Sequence, residues 1–105
     1  MAPPPRSRAE RKADTLRKLA AEVDVWVASA DEDGRGNIAS LSFVWHRDAL
    51  TIALPETSRT ARNLIRAGWA RVALGPTRDV VILEGPLELL RIGSDAALED
   101  AHARA

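Results

Sequence analysis

Apolar residues fall at every second position through the middle of this chain and at every third or fourth position on either side of it. Val23, Val25 and Val27 alternate with Asp24, Trp26 and Ala28, the period of a strand with one buried face. Asp31-Glu32-Asp33-Gly34-Arg35-Gly36 comes next, a turn by composition. A second alternating run extends from Ile38 to Trp45. It sets Leu41, Phe43 and Trp45 on one face and Ser40, Ser42 and Val44 on the other. His46-Arg47-Asp48-Ala49 reverses the chain into Leu50-Thr51-Ile52-Ala53-Leu54, which Pro55 ends. Three strands joined this closely predict an antiparallel meander, and the short spacing suggests a barrel or sandwich.

Helical periods flank that block. Pro3-Pro4-Pro5 cannot sit inside a helix, so residues 1–5 read as a loose arm and residues 6–105 as a single domain. From Arg6 the apolar residues Ala9, Ala13, Leu16, Leu19, Ala20 and Val23 form a stripe opposite a basic, solvated face. A second, shorter helix has Ser58 as its cap and Gly68 as its stop. Ala61, Leu64 and Ile65 fall on one face, and Arg59, Arg62 and Arg66 on another. Strand runs follow from Ala70 to Gly75 and from Asp79 to Ile92, the latter bent at Gly85-Pro86. Ser94 can cap a last helix through Ala97, Leu98 and Ala101. The pattern is mainly β with flanking helices.

Composition narrows the chemistry. The chain has 105 residues, 15 lysines plus arginines and 15 aspartates plus glutamates, so nothing in the overall charge points to nucleic acid or an anionic membrane. With no cysteine, disulfides, thiolate metal sites and cysteine nucleophiles are excluded. His46 and His102 lack the spacing of metal ligands. No apolar stretch approaches the roughly 20 residues of a membrane helix, and no apolar leader segment opens the chain. The expected location is the cytoplasm.

The segment from Thr57 to Arg62 offers the clearest binding chemistry. A strand ends at Pro55, and a hydroxyl pair, Thr57 and Ser58, opens the helix that carries Arg59 and Arg62. Helix starts present unpaired N–H groups and a partial positive charge, and two arginines there suit a phosphate. The plain alternative is a capping serine under a wet arginine surface, and residue types alone leave both open. Asn63 reads as a structural hydrogen bonder. Trp26, Trp45 and Trp69 read as core or interface residues, with ring stacking as the alternative. His46 reads as an exposed loop residue, Glu84 and Glu88 as outward strand residues, and Arg78-Asp79 as a local ion pair. No nucleophile–base pair is evident.

Together these segments resemble the flavin-binding split-barrel superfamily, which includes pyridoxamine 5′-phosphate oxidases and deazaflavin-dependent reductases. The resemblance rests on Val-Trp-Val-Ala at Val25 to Ala28, Ser-Phe-Val-Trp at Ser42 to Trp45, and Ser-x-Thr-x-Arg-Asn-Leu at Ser58 to Leu64. Leu74-Gly75 before Arg-Asp-Val-Val at Arg78 to Val81 completes it. It covers roughly residues 15–92 and implies an antiparallel split β-barrel that pairs as a homodimer around a cofactor groove. It also implies that Thr57, Ser58, Arg59 and Arg62 hold the cofactor phosphate, while Ser40, Leu41, Ser42 and Phe43 line the ring. The cofactor would be flavin mononucleotide (FMN) or a deazaflavin coenzyme.

The activity implied is hydride transfer between that cofactor and a small organic substrate, with the cofactor carrying the chemistry. The alternative is a non-catalytic flavin- or haem-binding module, or a dimerising structural remnant. Thr60 stands where the true oxidases place a lysine, and their C-terminal substrate motifs are not found here, so the vitamin-forming reaction is not expected. Similar chains continue into a tryptophan-containing segment and a closing strand. This sequence ends at Ala105, which leads to the expectation of a barrel completed differently or shortened.

Overall fold

The computed structural model describes residues 4–90. Helix α1 (Arg8–Ala21) leads into strands β1 (Asp24–Ala30), β2 (Gly36–Ser42), β3 (Val44–His46) and β4 (Ala49–Thr51). Helix α2 (Arg59–Ala67), β5 (Trp69–Leu74) and β6 (Val81–Pro86) follow. The helix expected from Ser94 and the end of the strand expected to reach Ile92 lie outside the described residues.

Every described strand pair is antiparallel. One sheet has four strands in the order β2-β1-β5-β6, and the other is the hairpin β3-β4. The three-strand meander expected from the sequence is therefore corrected. β1 takes β2 on one edge and β5 on the other, and the run from Ile38 to Trp45 is two strands. The break comes at Phe43, which is buried and whose N–H donates to the Val23 carbonyl at 2.9 Å. Beyond it the chain leaves β1 and pairs with β4. That swing carries the hairpin to the core, where Leu41, Trp45, Leu50 and Ile52 pack against the buried cluster. The β3-β4 turn holds two residues, Arg47 (φ 51°) and Asp48 (φ 59°), the paired positive angles of a type I′ hairpin. No strand ladder joins the two sheets among the described residues.

The core follows the two-residue period. Val25 and Val27 of β1, Val72 and Leu74 of β5, Phe43, Leu64 of α2 and Leu19 of α1 form one buried cluster. Val27 and Leu74 are its most enclosed large members. Each such side chain contributes about 1.5–3 kcal/mol by leaving water.

The two helices dock differently. Ser7 caps α1, its hydroxyl accepting from the Glu10 N–H at 3.1 Å, and Glu10 three residues on gives the spacing of a capping box. Of the apolar stripe expected along α1, Leu19 alone is buried. Leu16 and Val23 are exposed, because the alanines between them offer too little surface to seat the helix. α2 instead buries Thr60, Ala61, Asn63 and Leu64, while Ile65, expected inside, faces solvent. Its end at Gly68, in the left-handed conformation, is as the sequence suggests.

Two glycines separate backbone strain from crowding. Gly34 (φ 81°) has open space where a Cβ would stand, whereas at Gly75 (φ 88°) a Cβ would lie 2.9 Å from the Asp79 carbonyl oxygen. Gly34→Ala should cost about 1 kcal/mol for the left-handed backbone alone. Gly75→Ala should cost about 1–3 kcal/mol more from overpacking. Urea denaturation of the two variants measures the difference, and equal losses would contradict it.

Candidate functional site

α2 is fastened to the β1-β2 hairpin by a stripe of polar side chains. The Asn37 amide donates to the Thr60 hydroxyl at 3.2 Å, the Asn63 amide donates to the Ser29 hydroxyl at 3.2 Å, and the Arg66 guanidinium donates to the Ala30 carbonyl at 2.7 Å. Residues three apart share a helix face, so one face meets the hairpin while Ala61 and Leu64 meet the core. Asn63 is thus the structural hydrogen bonder the sequence suggests. Thr60 is buried and committed to Asn37. A hydroxyl that anchors the helix replaces the cation that the resemblance would put there.

The start of α2 is left chemically open. The Ser58 hydroxyl accepts from the Ala61 N–H at 3.1 Å, and the Ser58 carbonyl accepts from the Arg62 N–H at 3.0 Å. The N–H groups of Arg59 and Thr60 have no acceptor among the described residues. The Arg59 and Arg62 side chains are exposed, and neither has an ion-pair or hydrogen-bond partner among the described residues. Thr57 is exposed beside them. Two arginines, one turn apart and unneutralised, stand over a helix start with spare donors, an arrangement suited to an anion.

The strand residues expected to line a ring divide between the two faces of the sheet. Ser40 and Ser42 are exposed on the face away from the core, where the Ser42 hydroxyl donates to the Asp24 carboxylate at 3.0 Å. Leu41 is half-buried against the core and Phe43 lies within it. The hydrogen bond that ties β2 to α2 is at Asn37, and Ser40 lies roughly 10 Å further along the strand. The start of β2 meets α2 at Thr60, the residue after Arg59, and the Ser40–Phe43 stretch leads away from that contact.

The outer face of the four-stranded sheet was not anticipated as a unit. Strand register aligns Ser40, Trp26, Ala73 and Ile82 in one row, and Ile38, Ala28, Arg71 and Glu84 in the next. Trp26, Ile38 and Ile82 are 52%, 66% and 59% exposed, beside an ion pair of Arg71 with Glu84 at 2.6 Å. Trp69, on the same strand face, is half exposed, while Trp45 packs on the core. Alternation in each strand gave the outward positions. Their alignment into an apolar row needs the β1-β5 pairing, across more than 40 residues of sequence.

Two expectations are corrected. Asp79 does not pair with Arg78. It accepts from Lys18 at 2.6 Å and lies 3.5 Å from Arg6, and Lys18 also donates to the Asp79 carbonyl at 2.5 Å. α1 brings those cations across the β5-β6 loop. His46 is not an exposed loop residue. It ends β3, is half-buried, and its Nε2 is shut off from solvent without a partner among the described residues, because the turn needs only Arg47 and Asp48. Among the described residues no three acidic or imidazole side chains cluster as metal ligands, and no helix is long and apolar enough to cross a membrane.

With this geometry in hand, likeness to solved structures is informative. The chain superposes on HutZ, the heme storage protein from Vibrio cholerae, with a TM-score of 0.68 over 89% of its own length and 71% of that chain, at 13% identity. At that identity the likeness speaks for the fold alone, and it fits a split barrel. No protein-family model matches the sequence, and no curated protein is significantly similar to it.

The Lys18 ammonium, by hydrogen bond and charge, and then the Arg6 guanidinium hold the Asp79 carboxyl below its usual range. A lowered folded pKa stabilises the docked state above the ordinary Asp value of about 3.9 and loses that contribution as pH falls through the lower folded value. Helical circular dichroism followed from pH 6 downward should therefore show an acid step as α1 detaches, since an isolated helix of this length is marginal. Asp79→Asn should already lack that step. An identical acid profile in the variant would show that Asp79 does not hold α1.

Proposed function

We propose that this chain is a split-barrel cofactor-binding module in which the start of α2 holds the anionic group of a planar cofactor, haem by first preference. The observation that carries the reading is the pair Arg59 and Arg62, exposed and unneutralised over free backbone donors. A haem propionate and a flavin phosphate share the anionic oxygens that such a site binds. Haem is preferred because HutZ, the fold neighbour, is a heme storage protein. When bound, haem would supply an iron centre and FMN a hydride carrier. The residues of this chain would bind and orient the anion.

A second reading is a flavin- or deazaflavin-dependent oxidoreductase that transfers a hydride to or from a small organic substrate. Its support is the order of motifs from Val25 to Val81, with Ser58, Arg59 and Arg62 in the positions that the resemblance assigns to the phosphate. A soluble chain acting in the cytoplasm suits both readings.

The partner in either reading is a second copy of the chain, docked through the outer sheet face. The row Ser40–Trp26–Ala73–Ile82 is broad and apolar, and exposed tryptophan is characteristic of interface centres. Arg71 beside Glu84 makes the face self-complementary in charge, since a two-fold copy offers the same pair in the opposite order.

Titration of the purified protein with haem, FMN and a deazaflavin tests the cofactor. A Soret band that saturates with haem supports the first reading, and bound, reducible flavin supports the second. Arg59→Ala and Arg62→Ala should each weaken the bound cofactor about tenfold or more, the loss of one charge-assisted hydrogen bond. FMN should suffer more than riboflavin, which has no phosphate. Arg66→Ala should matter little, because Arg66 already serves Ala30. Unchanged affinity in the first two variants would move the site elsewhere. Trp26→Glu should weaken self-association about 30-fold or more, as loss of an interface hot spot does, when light scattering is measured at micromolar concentration. A wild-type chain that is monomeric there would overturn the pairing.

A further inference from the structure

We propose that the chain's own acidic C-terminal stretch, residues 94–101, docks on the outer face of α2 and covers Arg59 and Arg62 until an anionic ligand displaces it. On the reading of the start of α2 as an anion site, this stretch is the group that competes for it.

The receiving face is built from α2 alone. Arg62 and Ile65 are three positions apart and so share a helix face, with Arg59 one turn before Arg62. Ile65 is 45% exposed. Neither arginine has an ion-pair or hydrogen-bond partner among the described residues. Arg66, the other cation of the helix, is already bound to the Ala30 carbonyl. The face therefore offers an apolar side chain beside two uncompensated positive charges.

The segment that fits it leaves the fold next to this helix. Val81, Leu83 and Leu87 pack against the core, and Glu88 to Leu90 are exposed. The chain parts from the core beside the end of α2, where the Leu87 N–H donates to the Gly68 carbonyl at 3.2 Å. Residues 88–94 can extend over roughly 23 Å, and the helix from Gly68 back to Arg59 spans roughly 14 Å. The start of α2 is therefore within reach. Residues 94–101 hold three carboxylates, Asp95, Glu99 and Asp100, and no lysine or arginine. In the helix that the sequence predicts from Ser94, Asp95, Leu98 and Glu99 share a face, which sets carboxylates beside an apolar side chain. A tether this short holds the segment at an effective concentration on the order of millimolar, so weak exposed ion pairs suffice for partial occupancy.

With no cysteine in the chain, Ala103→Cys accepts a single nitroxide label. At low salt the label should broaden the amide NMR signals of Arg62 and Ile65 and leave those of Trp26 and Ile82, on the outer sheet face, sharp. Asp95→Asn with Glu99→Gln should remove the broadening, as should 1 M sodium chloride or saturating inorganic phosphate. In the unlabelled protein the same double substitution should tighten inorganic phosphate binding, followed at the Arg59 and Thr60 amides. The gain should be about threefold or more, as when the open fraction rises from about a third to nearly all. Sharp α2 signals in the labelled protein would overturn the docking. So would broadening that appears only between separately labelled chains, which marks a second copy as the occupant. Equal phosphate affinities, or none in either protein, would overturn the competition. These measurements use neither haem nor flavin, so a chain that binds neither refutes the cofactor proposal and leaves the docking result standing.

Discussion

The structure depends on β1 being hydrogen-bonded on both edges while burying every second side chain. Asp24 to Ala30 pair with β2, and Trp26 to Ala28 pair with β5. Val25 and Val27 stand at the centre of the core. A slip of one residue would exchange those valines for Trp26 and Ala28. It would put an indole where Leu74 and Val72 leave no room. The same constraint places Trp26 on the outer face beside Ser40 and Ala73, so the packed interior and the exposed apolar row follow from one register.

α2 depends on that register as well. Ser29 and Ala30 close β1, Asn37 opens β2, and these are the groups that Asn63, Arg66 and Thr60 meet. Polar anchoring of this kind costs little where each donor finds its acceptor, and it fixes the helix about its own axis more sharply than apolar packing alone. The orientation that satisfies Thr60 and Asn63 is the one that leaves Arg59 and Arg62 outside. The open arginines are therefore a product of how the helix docks, as well as of their number.

Local features were legible in the sequence wherever the cause is local. The Ser58 cap, the Gly68 stop, the chain reversal within His46-Arg47-Asp48-Ala49, and the inward alternation of Val25 and Val27 each follow from residues within a few positions. The resemblance supplied the split-barrel class. The break at Phe43 was not legible, because the alternation of Leu41, Phe43 and Trp45 continues through it while the hydrogen-bonding partner changes from β1 to β4. The partners of Thr60, Asn63 and Asp79 were equally hidden. They lie 23, 34 and 61 positions away, and a sequence period carries no information about pairing at that range. For the candidate site, the arginines and the helix start were readable. The separation of Ser40 and Ser42 from Leu41 and Phe43 was implicit in the strand period, but its consequence depends on where α2 lies.

The two helices are attached in two different ways. α2 has Ala61 and Leu64 in or beside the core and a matched polar stripe on the hairpin, so its docking combines apolar burial with neutral hydrogen bonds. Neither responds strongly to salt. α1 has the opposite balance, with one buried leucine against a cluster of charges. A helix rich in alanine and basic residues can scarcely do otherwise, because its apolar face is shallow and its charges must find partners. The partner available is Asp79, on a loop whose shape Gly75 sets. The less apolar helix is thus tied to a tight loop by charge, and the more firmly seated helix bears the free arginines.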